Sequence, residues 1–193
     1  ITGFANGDLD GEVGSGGQDT FVSKFNSEGE KIWTKLIHGN TASSLDIDSN
    51  GSIYINGSSS GEASLTKLDD EGGLIWTITS SSTGLTGGSS ILVAEGDSIF
   101  VSGSTNGNLN GEGNSGRQDA FISKYNSLGI EQWTTLIGTS EYETGGAFAL
   151  DNEDYLYFIG DTSGDLNGEI NNEPNTPQWD EPDVFVIKYD AFL

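Results

Sequence analysis

The chain contains no cysteine and no methionine. Disulfides, cysteine-based zinc sites and cysteine nucleophiles are therefore excluded. The same absence fits an exposed, oxidising environment, where both side chains are readily damaged. Histidine occurs once, as His38. No metal centre can be built on histidines, and a Ser-His-Asp triad would rest on His38 alone, with no Gly-x-Ser-x-Gly motif on a strand-to-helix turn. His38 reads instead as a solvated turn residue. Positive charge is scarce too: seven Lys and Arg stand against 30 Asp and Glu, a formal net charge of −23. Such a chain repels nucleic acid and anionic membranes, whose binders need basic patches, and it favours cations. No apolar run approaches the ~20 residues of a membrane helix. The opening residues ITGFANGDLD are neither basic nor continuously apolar, so no signal peptide is read there. The chain is read as a mature product or a fragment.

Glycine is abundant, at 29 of 193 residues, and only 33% of the chain is hydrophobic. Aromatic residues make up 10%, too many for a disordered acidic chain. Short apolar runs between turn-forming residues predict an all-β fold. No stretch carries the i, i+3, i+4 apolar pattern, so no helix longer than about a turn or two is expected.

Self-comparison reveals a repeat. DTFVSKFNSEGEKIWTKLI from Asp19, EASLTKLDDEGGLIWTITS from Glu62 and DAFISKYNSLGIEQWTTLI from Asp119 align, and DVFVIKYDAFL from Asp183 begins a fourth unit. The frame sets a lysine (Lys24, Lys67, Lys124, Lys188) before a polar turn and a Gly-x-x-x-Trp run (Gly29–Trp33, Gly72–Trp76, Gly129–Trp133). A strand–turn–strand pair precedes each unit: from Ser43 with a turn at Ser49-Asn50-Gly51, from Ser89 with Gly96-Asp97, and from Gly146 with Asn152-Glu153. Gly57, Gly103 and Gly160 close the second strand of each pair, and Gly3 matches them. Each unit is thus four short antiparallel strands, A to D. Strand A is rich in small residues and suits the innermost position. Four-stranded units of this size predict propeller blades, which must stack to bury their faces.

The predicted architecture is a single β-propeller domain, 1–193, or a fragment of one. About four four-stranded antiparallel blades are visible: a partial first blade 1–38, complete blades 39–80 and 81–138, and a partial fourth blade 139–193. The register opens at strand B and stops at strand C, so a self-sufficient closed ring is not expected. The missing strands would come from a longer protein or from a neighbouring subunit.

The runs DTFVSKFNSEG, DAFISKYNSLG and DVFVIKYD, with Leu45 to Ile55 (LDIDSNGSIYI), resemble the bacterial SBBP-type β-propeller repeats. The resemblance covers almost the whole chain and departs at Glu62-Ala63-Ser64-Leu65, where the Asp-x-Phe-Val start is missing. It implies an extracellular or cell-surface module of large bacterial proteins and implies no activity. The Gly-x-x-x-Trp spacing also resembles the tryptophan-docking repeat of quinoprotein propellers, in which the Trp is structural.

Most chemically capable residues have a structural reading. Trp33, Trp76 and Trp133 recur at one position and predict packing between blades. Trp179 differs, because it lies in the unrepeated acidic loop NNEPNTPQWDEPD, where ligand binding and loop anchoring are both open. The repeated lysines are expected to cover apolar surface and meet a carboxylate of the next strand or blade. Carboxylate pairs for glycoside hydrolysis exist by number, but nothing selects one. Asp46-x-Asp48-x-Asn50-Gly51 imitates the start of an EF-hand, yet Gly57 stands where the bidentate Glu belongs, so a hairpin turn is expected.

The loop between strands B and C offers the metal candidates. Its three versions carry Asp8, Asp10, Glu12 and Asp19; Asn108, Asn110, Glu112 and Asp119; and Asp165, Asn167, Glu169 and Asp183. Alternating oxygen ligands around a Gly turn suit calcium. The same residues also make metal-free turns by capping their own backbone.

The functional reading is a non-enzymatic extracellular scaffold or binding module of a bacterial surface protein, adhesin or filament, with calcium as its expected ion. Its partners would be protein or polysaccharide at the cell surface, or further copies through open blade edges. No nucleic acid, membrane insertion, catalytic residue or organic cofactor is expected. A calcium-dependent carbohydrate-binding module is the alternative, and a polysaccharide hydrolase the third class.

Overall fold

The computed structural model describes residues 1–96, 98–169 and 182–190. Among them there is no helix, and 14 strands form four antiparallel sheets. Sheet 1 is β1 (Thr2–Ala5), β2 (Asp19–Phe25) and β3 (Lys31–Ile37). Sheet 2 is β4 (Asn40–Ile47), β5 (Ile53–Ser59), β6 (Glu62–Leu68) and β7 (Leu74–Thr79). Sheet 3 is β8 (Thr86–Ala94), β9 (Ser98–Thr105), β10 (Asp119–Tyr125) and β11 (Glu131–Ile137). Sheet 4 is β12 (Glu143–Leu150), β13 (Tyr155–Thr162) and β14 (Asp183–Asp190). Each is a meander in chain order, as is usual where strands that follow one another in sequence pair directly.

The turns explain why the strands reverse where they do. Between β2 and β3 the Asn26 Oδ1 accepts the N–H groups of Glu28 and Glu30; Asp69 and Asn126 do the same between β6 and β7 and between β10 and β11. Gly29, Gly72 and Gly129 follow with φ near +80°, a conformation that glycine adopts without strain. Asp48 and Asp151 play the same part between the first two strands of sheets 2 and 4. The EF-hand-like stretch is therefore a hairpin turn, with Asp48 Oδ2 accepting the Tyr54 hydroxyl. Asp97 of the expected Gly96-Asp97 turn lies outside the described residues.

One bulge recurs in the first strand of sheets 2, 3 and 4, at Ala42/Ser44, Gly88/Ser90 and Gly145/Phe148. There the strand bends against the neighbouring glycine. A Cβ on Gly57, Gly103 or Gly160 would collide with the carbonyl oxygen of Thr41, Gly87 or Thr144 respectively. Sheets also meet here. The Asn56 amide donates to the Ser90 and Ser102 carbonyls of sheet 3, at 2.7 and 2.9 Å. The Ser102 hydroxyl donates to the Gly146 carbonyl of sheet 4.

The core lies between sheets rather than inside any one of them. Val22 and Ile37 of sheet 1 pack on Ile53, Ile55 and Leu68 of sheet 2. Tyr54, Ala63 and Leu65 of sheet 2 pack on Ile99, Val101, Phe121 and Tyr125 of sheet 3. Ala120, Ile122 and Ile137 of sheet 3 pack on Phe158 and Phe185 of sheet 4. One sheet cannot bury its own apolar face, so the stacking itself supplies the hydrophobic stabilisation.

Candidate functional site

The three acidic loops follow β1, β9 and β13. At the tip of each, a two-residue turn is built from Asp10-Gly11, Asn110-Gly111 or Asn167-Gly168, and all six residues have positive φ. Positive φ at both central residues is the requirement of a type I′ turn, which Asn-Gly and Asp-Gly favour. Leu9 and Glu12 exchange two backbone hydrogen bonds across the first turn, at 3.0 and 2.9 Å, and Leu109 and Glu112 do so across the second. In the third, the Glu169 N–H donates to the Leu166 carbonyl. Leu109 and Leu166 point inward and are buried, which anchors the tips.

The first loop sends its four candidate carboxylates in different directions. Asp8 Oδ1 accepts the Gly14 N–H at 2.9 Å. Asp10 Oδ2 lies 2.7 Å from both Lys31 Nζ and the Thr34 hydroxyl, so the lysine first, and then the threonine, holds its carboxyl below the ordinary range. Glu12 pairs with Lys35 at 3.2 Å. Asp19 is buried at the head of β2 and accepts the Ser15 hydroxyl, the Ser15 N–H and the Gly39 N–H. His38, an exposed turn residue, lies 3.3 Å from the same carboxylate. The Ser15 bonds dominate and hold Asp19 down to about 2.

The second loop repeats the plan with fewer charges. Asn108 Oδ1 accepts the Asn114 N–H, and Asp119 Oδ2 accepts the Ser115 N–H. Asn110 Oδ1 accepts the N–H of Ser81, which follows sheet 2, and its Nδ2 donates to Thr134 on β11 of its own sheet. Glu112 is exposed. Asp119 Oδ1 is buried with no hydrogen-bond partner, and burial pushes this carboxyl upward. In the third loop Asp165, Asn167, Glu169 and Asp183 are exposed. Among the described residues no three His, Asp or Glu side chains are grouped to hold one ion. For calcium to enter the first loop, Asp10 and Glu12 would have to leave Lys31 and Lys35.

The repeated Trp and Lys residues act at the junctions. Trp33, Trp76 and Trp133 share one register, opposite Lys24, Lys67 and Lys124. The Trp33 ring lies 3.2 Å from where a Gly72 Cβ would be, and Trp76 lies 3.4 Å from that point on Gly129. Each of these Trp rings therefore packs on the turn glycine of the following sheet. Trp133 stacks toward Tyr189 of sheet 4, at 6.4 Å between ring centroids. Lys24 and Lys67 meet carbonyls, a correction to the carboxylates expected for them: Lys24 Nζ donates to the Asp70 carbonyl at 2.8 Å, and Lys67 Nζ to the Ser127 carbonyl at 3.3 Å. The turn backbone already points carbonyls at the junction, so no acidic side chain is needed. Lys124 Nζ lies 5.4 Å from the centre of the Phe100 ring, and Lys188 lies 3.8 Å from Asp151 in its own sheet. Trp179 lies outside the described residues.

Glu143 carries no repeat signature, and sequence reasoning missed it. It is fully buried and accepts the Thr139 N–H and the Thr139 and Thr162 hydroxyls, which fix the start of sheet 4. Its only sequence signal is an acid at the head of a small-residue strand.

No family model matches the chain. Over 122 residues, or 59% of its length, it is 26% identical to Regulatory protein FlaEY of Caulobacter vibrioides. The match covers 13% of that protein, so the chain is similar to a small part of a much longer polypeptide.

Proposed function

We propose that this chain is a non-enzymatic scaffold and binding module of a bacterial cell-surface protein, built as successive blades of a β-propeller of the SBBP-repeat type. The observation that carries the reading is the repeated junction. The recurring Trp side chains, with Lys24 and Lys67, are used in fastening one sheet to the next. What the repeat preserves is a stack with variable acidic loops on its surface, which is the organisation of a binding scaffold. The partial similarity to a much longer protein supports use as a module.

Antibody labelling of intact cells that express the parent protein tests the location. Labelling without permeabilisation is expected, and labelling only after permeabilisation would overturn it. Calcium enters the reading as a stabiliser of the first loop, through Asp8, Asp10, Glu12 and Asp19. A ligand that binds only the folded state must raise the melting temperature. Equal melting temperatures in calcium and in chelator would remove calcium from the reading and leave the scaffold standing.

A further inference from the structure

We propose that β7, the outer strand of sheet 2, is a self-association edge at which two copies of this chain pair antiparallel, β7 against β7. Two features of its sequence set it apart from the other outer strands, β3 and β11. From Gly72 to Ala94 no residue is charged, the longest such run in a chain of net charge −23. Natural edge strands are guarded by charged side chains, which keep further strands from adding. β3 carries Lys31 and Lys35, and β11 carries Glu131, whereas β7 reads Leu-Ile-Trp-Thr-Ile-Thr. Leu74 holds the register position of Lys31 and Glu131 and is 61% exposed. Ile75 beside it is exposed as well.

The loops add a third difference. In sheet 1 the acidic loop reaches the outer strand, with Asp10 on Lys31 and Thr34 and Glu12 on Lys35. In sheet 3 Asn110 reaches Thr134 in the same way. Sheet 2 has only the turn Ser60-Gly61 in that place, with positive φ at both residues. Thr77, the counterpart of Thr34 and Thr134, bonds Thr66 of its own sheet, and among the described residues no loop reaches it. All four strands of sheet 2 are described, and β7 pairs with β6 alone. The Ser80 N–H donates to the Ala63 carbonyl, which sets the alternation along the strand. Ile78 turns its backbone groups toward β6 as Ser80 does, and Thr77 and Thr79 turn theirs outward. Those outward groups are the ones that an added strand would bond.

A second copy is the occupant that the charges admit. Each copy carries −23, so two copies repel wherever they present carboxylates to one another. Along β7 they present none. Antiparallel pairing about Thr77 sets this residue opposite its own counterpart, and threonine pairs across strands are favourable. It also brings Asp69, Asp70 and Glu71, which precede β7, to the far end of the other strand, where Ser80 to Thr83 are uncharged. Parallel pairing would instead set these acids side by side. The contact uses the same edge on both copies and closes at the dimer. One strand pair of this length stays below the ~1,200 Å² of a standard interface, so the dimer is weak, and salt strengthens it by screening the remaining charge.

The pairing takes its biological meaning from the scaffold reading, but it is measured apart from cell-surface labelling, so either can fail alone. Sedimentation equilibrium of the full chain is followed from about 10 μM to about 1 mM, a range that spans weak protein association. The mean mass should rise toward the dimer and stop there, and the rise should be steeper at about 0.5 M than at about 0.15 M salt. Leu74→Lys and Ile75→Gln install the residue types that Lys31 and Gln132 supply at these positions of the sister strands, so the strand frame accommodates them. Combined, they should weaken association about tenfold or more. Val13→Gln, at an exposed position of the first acidic loop, should leave it unchanged. Hydrogen exchange of the wild-type chain needs no variant: the Thr77 and Thr79 amides should exchange more slowly at about 1 mM than at about 10 μM. A mass that stays monomeric throughout or climbs past the dimer, association that the double variant leaves intact, or added protection confined to other strands would each overturn the pairing.

Discussion

Asp19 and Asp119 head equivalent strands, yet their environments drive the two carboxyls in opposite directions. Asp19 collects the Ser15 hydroxyl, two backbone N–H groups and His38, and sits at about 2. At Asp119 a glycine, Gly138, replaces the histidine, and the Thr139 N–H goes to Glu143 instead. One buried oxygen is left without a partner, and burial raises this carboxyl. A lowered native value contributes stability above the ordinary 3.8, and this is lost as pH falls through about 2. A raised native value has the opposite sign: its contribution is complete below 3.8 and is lost as pH rises through the native value. Asp19→Asn should therefore lower the melting temperature at pH 7, with the deficit shrinking toward pH 2. Asp119→Asn should leave it unchanged or raise it at pH 7, since an amide removes a poorly matched charge. Melting curves of both variants at pH 7 and pH 3 check this, and parallel losses at pH 7 would contradict it.

The repeated loop is an element whose sequence supports two physical accounts. Alternating Asp, Asn and Glu around glycine suits a calcium ring, and it equally suits a type I′ hairpin tip. The backbone answers through the positive φ of Asn110 and Gly111 and the reciprocal Leu109–Glu112 hydrogen bonds. Replacing Asn110 by Ala keeps a Cβ in the left-handed region and removes the side-chain bonds to Ser81 and Thr134, at about 1–2 kcal/mol. Gly111→Ala should cost at least as much, while Glu112→Ala, on an exposed side chain, should change stability by less than about 0.5 kcal/mol. Denaturant midpoints rank the three. A large loss at Glu112 alone would point to a role for its carboxylate beyond the turn. At the bulge, Gly103→Ala meets both the Gly87 carbonyl oxygen and the Phe121 ring, and overpacking there should cost about 1–3 kcal/mol or more.

Across the whole molecule, stability resides in the junctions between sheets. Trp76 covers the cluster around Tyr54, Leu65 and Phe121 and reaches Gly129 in the next sheet. Removing a large aromatic from such a place costs about 3 kcal/mol, since transfer and cavity losses add. Trp76→Ala should thus lose about that much by urea denaturation. A loss under about 1 kcal/mol would show that the lysine–carbonyl bonds and the aliphatic cluster suffice without it. Trp33→Ala should behave alike, because it makes the same contact with Gly72.

The all-β class, the strand order and the shared register of Trp33, Trp76 and Trp133 were legible because they depend on local chemistry. Asn and Gly make turns wherever they stand, and alternating apolar residues make strands. The roles of the side chains were less legible, because partners distant in sequence decide them. Lys24 and Lys67 meet the carbonyls of Asp70 and Ser127, 46 and 60 residues away, and nothing near either lysine in sequence marks those atoms as acceptors. The divergence of Asp8, Asp10, Glu12 and Asp19 depended on Lys31, Thr34 and Lys35 arriving from β3. By itself the sequence determined the elements, their turns and the repeat. Only the tertiary structure decided which carboxylates are paired, which glycines are pressed by a neighbouring carbonyl, and which side chains fill the junctions between sheets. Those properties arise when separate strands meet, and no local pattern encodes them.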